Sequence, residues 1–210
     1  MRTVIQIVLV IVALGLSYLI YHSIQDPIDF EKTRESRYEA TIERLKDIRK
    51  AQLAYKDVYG RFTGSWDTLI DFVKHDSVRN VRKVGELTDS MIEAKLTEKK
   101  ALQMGLIIRD TIKVSVIDAI FDGSFDPDQL KYIPVPDTTA EFMLGATYIT
   151  TGSGIKVPVF EAKAHNNIIL RGLERQYVIN INEQRRLNEK YPGLKVGSLT
   201  EAVNNAGNWE

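Results

Sequence analysis

The sequence contains no cysteine. That excludes disulfides, thiolate-bound zinc, iron–sulfur clusters, cysteine nucleophiles and a lipid-modified cysteine anchor. It also fits an oxidising compartment, without requiring one. Histidine is nearly as scarce. His22, His75 and His165 are the only three, and no two have the local spacing of a zinc site. There is no G-x-S-x-G, no P-loop and no G-x-G-x-x-G, so no known catalytic grammar stands out. Neither sign of charge is in excess. The 28 basic residues balance 28 acidic ones over 210 positions, so the cationic field that bulk nucleic-acid binding needs is missing. No repeat with a period of 20–50 residues and no low-complexity tract appears. What remains is the composition of a folded protein, 44% hydrophobic and 27% charged.

Charge is absent from one stretch in particular. Arg2 is the only Lys, Arg, Asp or Glu before Asp26. Thr3 to Tyr21, TVIQIVLVIVALGLSYLIY, is uncharged over 19 residues. A helix of about 20 such residues crosses a bilayer core. Tyr18, Tyr21 and His22 fall at its far end, where amphipathic rings favour the headgroup layer. Residues 1–25 are therefore expected to be a membrane anchor. The rival reading is a cleaved leader with Ala13-Leu14-Gly15 as its small-x-small site. The apolar run continues past that point through Leu16, Leu19 and Ile20, which favours retention. Arg2 and the α-amine favour a cytoplasmic N-terminus. Lys32, Arg34 and Arg37 on the far flank pull the other way, so the reverse topology stays open. The expected site is the bacterial inner membrane, single-pass, with the C-terminal domain in the periplasm. Gln6 can hydrogen-bond a neighbouring membrane helix. Its shallow position also suits a residue that simply sits at the interface.

Asp26-Pro27 predicts a kink or short break. Tyr38, Thr41/Ile42, Leu45, Ile48, Gln52, Tyr55 and Tyr59 then recur at three- and four-residue steps, one face of an amphipathic helix. Glu43/Lys46 and Asp47/Lys50 pair on its wet side, and Gly60 is the expected left-handed cap. Residues 26–62 are expected to form a stalk, with residues 30–59 rising roughly 45 Å from the membrane. Thr41 and Gln52 in the seam disfavour a coiled coil.

Residues 63–210 are expected to form an α+β domain. Ser65 is placed to cap a helix over Trp66 to Lys74, with Trp66 in the core. Residues 76–84 carry Arg79, Arg82 and Lys83 between valines. This is either a solvated strand face or a small anion patch. Thr88 or Asp89 to Met104 predicts another helix. Strands are expected at Leu106–Ile108, Ile112–Ile117, Tyr132–Val135, Ala140–Thr150 and Ile155–Ala162. The last two flank Thr151-Gly152-Ser153-Gly154, a four-residue hairpin loop, and Pro158 calls for an edge or bulge. Ile168–Leu170 is ambiguous. A helix is expected from Leu173 towards Leu187, and a strand or turn over Gly193–Ser198. Trp209, on an Asn-rich tail, either docks on its own domain or anchors a partner.

Asp122, Asp126 and Asp128 lie on one tight loop and together could offer oxygens to a calcium ion. Asp, Gly, Ser and Pro are also ordinary turn formers, and the turn reading is favoured. No cofactor is expected.

The stretch Ile42-Glu43-Arg44-Leu45 through Ala54-Tyr55-Lys56-Asp57-Val58-Tyr59-Gly60-Arg61-Phe62, continued by Trp66-Asp67-Thr68-Leu69, resembles type IV pilins and type II secretion pseudopilins. The resemblance covers about the first 75 residues. It implies an apolar helix continuing into an amphipathic one, packed by an antiparallel sheet. The resulting expectation is a non-enzymatic scaffold or pilin-like subunit of an envelope or secretion assembly. Its partners would be the bilayer, other membrane or envelope proteins and copies of itself, with no nucleic acid. Gln6, Tyr38 and Trp209 are the candidate contacts. Two alternatives remain. One is an anchored peptide- or glycan-binding module using Tyr148, Phe160 and the 122–128 loop. The other is an anchored enzyme of unfamiliar type.

Overall fold

The computed structural model describes residues 2–84, 108–121, 125–136 and 138–210. A single helix, α1, runs from Arg2 to Tyr59. After it come α2 (Trp66–His75), β1 (Ser77–Val84), β2 (Ile108–Ser115) and α3 (Val116–Ile120). A 3-10 turn over Pro127–Lys131 leads to β3 (Met143–Thr150) and β4 (Lys156–His165). The chain closes with α4 (Asn166–Ile169), α5 (Arg175–Leu187) and β5 (Gly193–Gly197). Among the described residues the strands make two small antiparallel sheets, a β1–β2 ribbon and a three-stranded β3-β4-β5 sheet. The fold is thus mixed helix and antiparallel sheet behind a long apolar N-terminal helix.

The amphipathic face of α1 is the spine of the core. Thr41, Leu45, Ile48, Ala51, Gln52 and Tyr55 are buried on it. Phe30 already belongs to that core, with its ring 5.0 Å from Tyr177 of α5. α1 packs against α2, α3, α4, β4 and β5. The inner face of the sheet supplies Phe160, Ala162, Ala164, Leu194 and Val196. Residues 30–55 are therefore built into the domain rather than standing beneath it. The polar members of the stripe are satisfied locally. Gln52 donates from Nε2 to the Thr63 carbonyl at 2.7 Å and accepts from the Thr63 amide at 3.2 Å. Thr41 Oγ1 donates to the Arg37 carbonyl. Each bond removes the cost of burying that group.

The break expected at Pro27 does not occur. The helix continues through it. Proline removes one N–H and frees the carbonyl one turn back. That carbonyl belongs to Ser23, which is exposed and lies before the first buried residue, so it keeps access to polar surroundings. Side chains also bridge the neighbouring turns. His22 Nδ1 lies 3.0 Å from Asp26 Oδ1, and Gln25 Nε2 donates to Asp29 Oδ1 at 3.0 Å.

Much of the local grammar is realised. Gly60 has φ +70° and its amide donates to the Lys56 carbonyl, ending α1. Ser65 caps α2 by accepting from the Thr68 amide. Trp66 is half-buried against the core and donates to the Phe142 carbonyl. Two further expectations are corrected. Val116 and Ile117 belong to α3, not to a strand, and Val116 is buried there. The hairpin loop spans 151–155, because Thr150 pairs with Lys156. Pro158 lies in the central strand, yet β5 pairs only with Glu161–His165, so one side of β4 is open where the proline falls. The helix expected over 88–104 and the strand start at Leu106 lie outside the described residues.

Candidate functional site

The first feature that reaches beyond the domain is the anchor. Ile5, Leu9, Leu14 and Leu16 are each more than half exposed, and so are Leu19, Ile20, Ile24 and Ile28. An 18-residue window of this helix has mean hydropathy 2.2, and none of it is buried. Such a surface is long and apolar enough to cross a bilayer. Gln6 is exposed within it. Tyr18 and His22 meet edge-on at 4.7 Å on the distal end, a ring cluster suited to the headgroup layer.

Tyr38 is turned inward. Its hydroxyl donates to Asn166 Oδ1 at 2.7 Å, and its ring lies between the guanidinium groups of Arg34 and Arg185, each 5.8 Å away. Burial pushes its phenol above the ordinary tyrosine value, and the two arginines pull against that. Asn166 continues the chain to Asn182, and Asn182 donates on to Asn167. The arrangement ties α1, α4 and α5 together.

Trp209 is half-buried against the same core. The tail that carries it extends the sheet. The Asn208 amide donates to the Lys195 carbonyl and its side chain to the Gly193 carbonyl, both at 3.0 Å. Glu210 accepts from Arg49 of α1 at 2.6 Å, a hydrogen bond that holds its carboxyl below the usual range.

The acidic loop is divided between two structural tasks. Asp126 caps the 3-10 turn by accepting from the Asp128 amide at 3.1 Å. Asp128 accepts from Lys74 Nζ at 2.7 and 2.8 Å. Asp122 lies outside the described residues. Among the described residues no cluster of three or more His, Asp or Glu could hold a metal. Of the residues named for a ligand-binding module, Tyr148 and Phe160 are diagonal neighbours across β3 and β4. Phe160 is fully buried beside Phe62, whereas Tyr148 is exposed under Lys156.

An open groove of about 970 Å³ runs between the last turns of α1 and the β1–β2 ribbon. Leu53 and Val58 form part of its floor, and Lys50, Arg79 and Lys113 part of its walls. Sequence reasoning singled out Arg79 but not its partnership with Lys113. The strands are separated by 23 residues, and only the pairing register shows which residues face each other. The exposure of Leu53 and Val58 on the far side of α1 was the missed local signal. No protein-family model, curated protein or solved structure matches the chain.

Proposed function

We propose that this chain is a non-enzymatic, single-pass membrane scaffold, a pilin-like or adaptor subunit of a bacterial envelope or secretion assembly. The observation that carries this reading is the continuity of α1. One helix passes without a break from an exposed apolar span into the core of a folded domain. A domain whose own core contains its anchor helix is joined to its span without a flexible linker, as a positioning subunit requires. A tether for an independent catalytic domain has no need of such stiffness. The resemblance of residues 42–69 to pilins and pseudopilins supports the same role.

Arg2 before the span supports a cytoplasmic N-terminus, with the domain in the periplasm and the span in the inner membrane. The partners on this reading are the bilayer, other envelope proteins and further copies of the chain. The experiment is the mass and composition of the particle extracted from native membranes in mild detergent. A C-terminal tag is used, with an internally tagged control because Trp209 packs near the terminus. The expected result is a large, stable particle containing other envelope proteins. A lone 23.9 kDa chain overturns the scaffold reading and directs attention to ligand screening.

A further inference from the structure

Arg79 and Lys113 stand directly opposite each other across the β1–β2 ribbon. Opposed residues share a face of the sheet, and like charges placed so weaken the pairing. Both are exposed, and both line the groove together with Lys50 of α1. On the other face, Val78 is opposite Val114. Among the described residues the ribbon thus sets a valine pair on one face and the like-charged Arg79–Lys113 pair on the other.

The α1 side of the groove differs in character. Leu53 is 38% and Val58 44% exposed. Asp57 and Asp76 also lie there, and Asp76 accepts from the Tyr59 hydroxyl at 2.5 Å. A uniform polyanion would meet those two carboxylates and leave the apolar floor uncovered. A segment with carboxylates along one edge and apolar side chains along the other matches both sides.

We propose that this groove receives an acidic, amphipathic segment of a partner protein. Its apolar side chains rest on Leu53 and Val58, and its carboxylates face Arg79 and Lys113, since Lys50 is already paired with Asp47 at 3.2 Å. The proposal rests on the scaffold reading and gives that partner its chemistry.

The test places a photo-crosslinking amino acid at Leu53 of the full chain in its native membranes. The expected result is a covalent adduct to a protein segment of net negative charge. The double variant R79E/K113E should cut its yield at least tenfold, and R79Q/K113Q should fall between that and the parent. Thermal melts of both variants no lower than the parent's establish that the fold is kept. Four outcomes overturn the proposal while leaving the scaffold reading intact. They are a partner-containing particle with no adduct, an adduct yield unchanged in both variants, a basic adduct segment, and an adduct to lipid, nucleic acid or polysaccharide. Absence of any partner-containing particle in the parent overturns the scaffold reading itself, and this proposal with it.

Discussion

The Tyr38 hydroxyl donates to Asn166 Oδ1 at 2.7 Å and so joins α1 to the turn after β4 across 128 positions. Asn166 is fully buried, so its amide oxygen has no access to water. Tyr38→Phe keeps the ring between the two arginines and removes only the donor. The expected cost is about 1–3 kcal/mol, the penalty for an orphaned buried acceptor. A urea titration of the detergent-solubilised chain reads it as a lower midpoint with unchanged slope. An unchanged midpoint would show that another donor reaches Asn166.

The burial of Leu45 and Ile48 leads to a truncation experiment. Removing residues 1–28 takes away exposed apolar surface and leaves every buried core residue in place. The fragment 29–210 is expected to be soluble and cooperatively folded. Removing residues 1–59 takes the spine with it and should leave no cooperative transition. Within the fragment, Leu45→Ala should cost about 2–5 kcal/mol, because it empties a fully buried site. A loss well under 1 kcal/mol would contradict the place of α1 in the core.

Arg79→Glu turns a like-charged cross-strand pair into an opposite one. The ribbon should gain about 0.2–1 kcal/mol, while the yield of partner adduct at Leu53 should fall. Hydrogen exchange at β1 and β2 amides measures the first effect. A residue whose replacement strengthens the fold and weakens the association is held in place by binding. Loss of both together would mark Arg79 as a structural residue.

His165 makes stability depend on pH. Burial, and then the nearby Arg186 charge, hold its imidazole below the ordinary histidine value. Its Nδ1 accepts from the Asn167 amide at 3.1 Å, which only an unprotonated nitrogen can do. The unfolded chain therefore takes up the proton more readily. Its contribution to stability is present above about pH 6.5 and is lost as pH falls from there to the lowered folded value. The melting temperature should decline through that window. His165→Asn retains a capping acceptor and should flatten the decline. An equally steep decline in the variant would assign it to other groups.

A Cβ on Gly207 would collide with the Trp209 ring. Gly207→Ala is expected to undock the tryptophan. In a Trp66→Phe background, its emission should shift to the red and become accessible to a collisional quencher. An unshifted spectrum would show that the tail can rearrange around the ring.

Features set within a few residues were legible from sequence. The stripe that begins at Tyr38, the turn at Gly60, the Ser65 cap and the presence of a hairpin turn after Thr150 each depend on neighbours along the chain, whereas Tyr59, expected on the stripe, is exposed and the loop is one residue longer than expected. At Pro27 the helix does not break, because the carbonyl that the proline frees is exposed, and residue identity does not state that. Val116 and Ile117 continue a β-branched run, yet the strand ends where Ser115 pairs with Ser77. Helix α3 instead packs against α2, a tertiary preference that overrides local propensity. The groove was least legible. Lys50, Arg79 and Lys113 come from three separate stretches, and only the fold brings their charges to one surface.

The unbroken passage of α1 through Pro27 also makes the chain a lever. From Val12, near the middle of the apolar span, to Tyr59 the helix is about 70 Å long at 1.5 Å per residue. Membrane helices tilt by about 20° on average, and by more where the bilayer is thin relative to the span. A 20° tilt pivoting at Val12 carries the far end about 24 Å sideways. The Gly60 turn and the groove beside it would sweep that distance parallel to the membrane. A change of a few ångströms in bilayer thickness is thereby converted into a lateral displacement comparable to the width of a small domain.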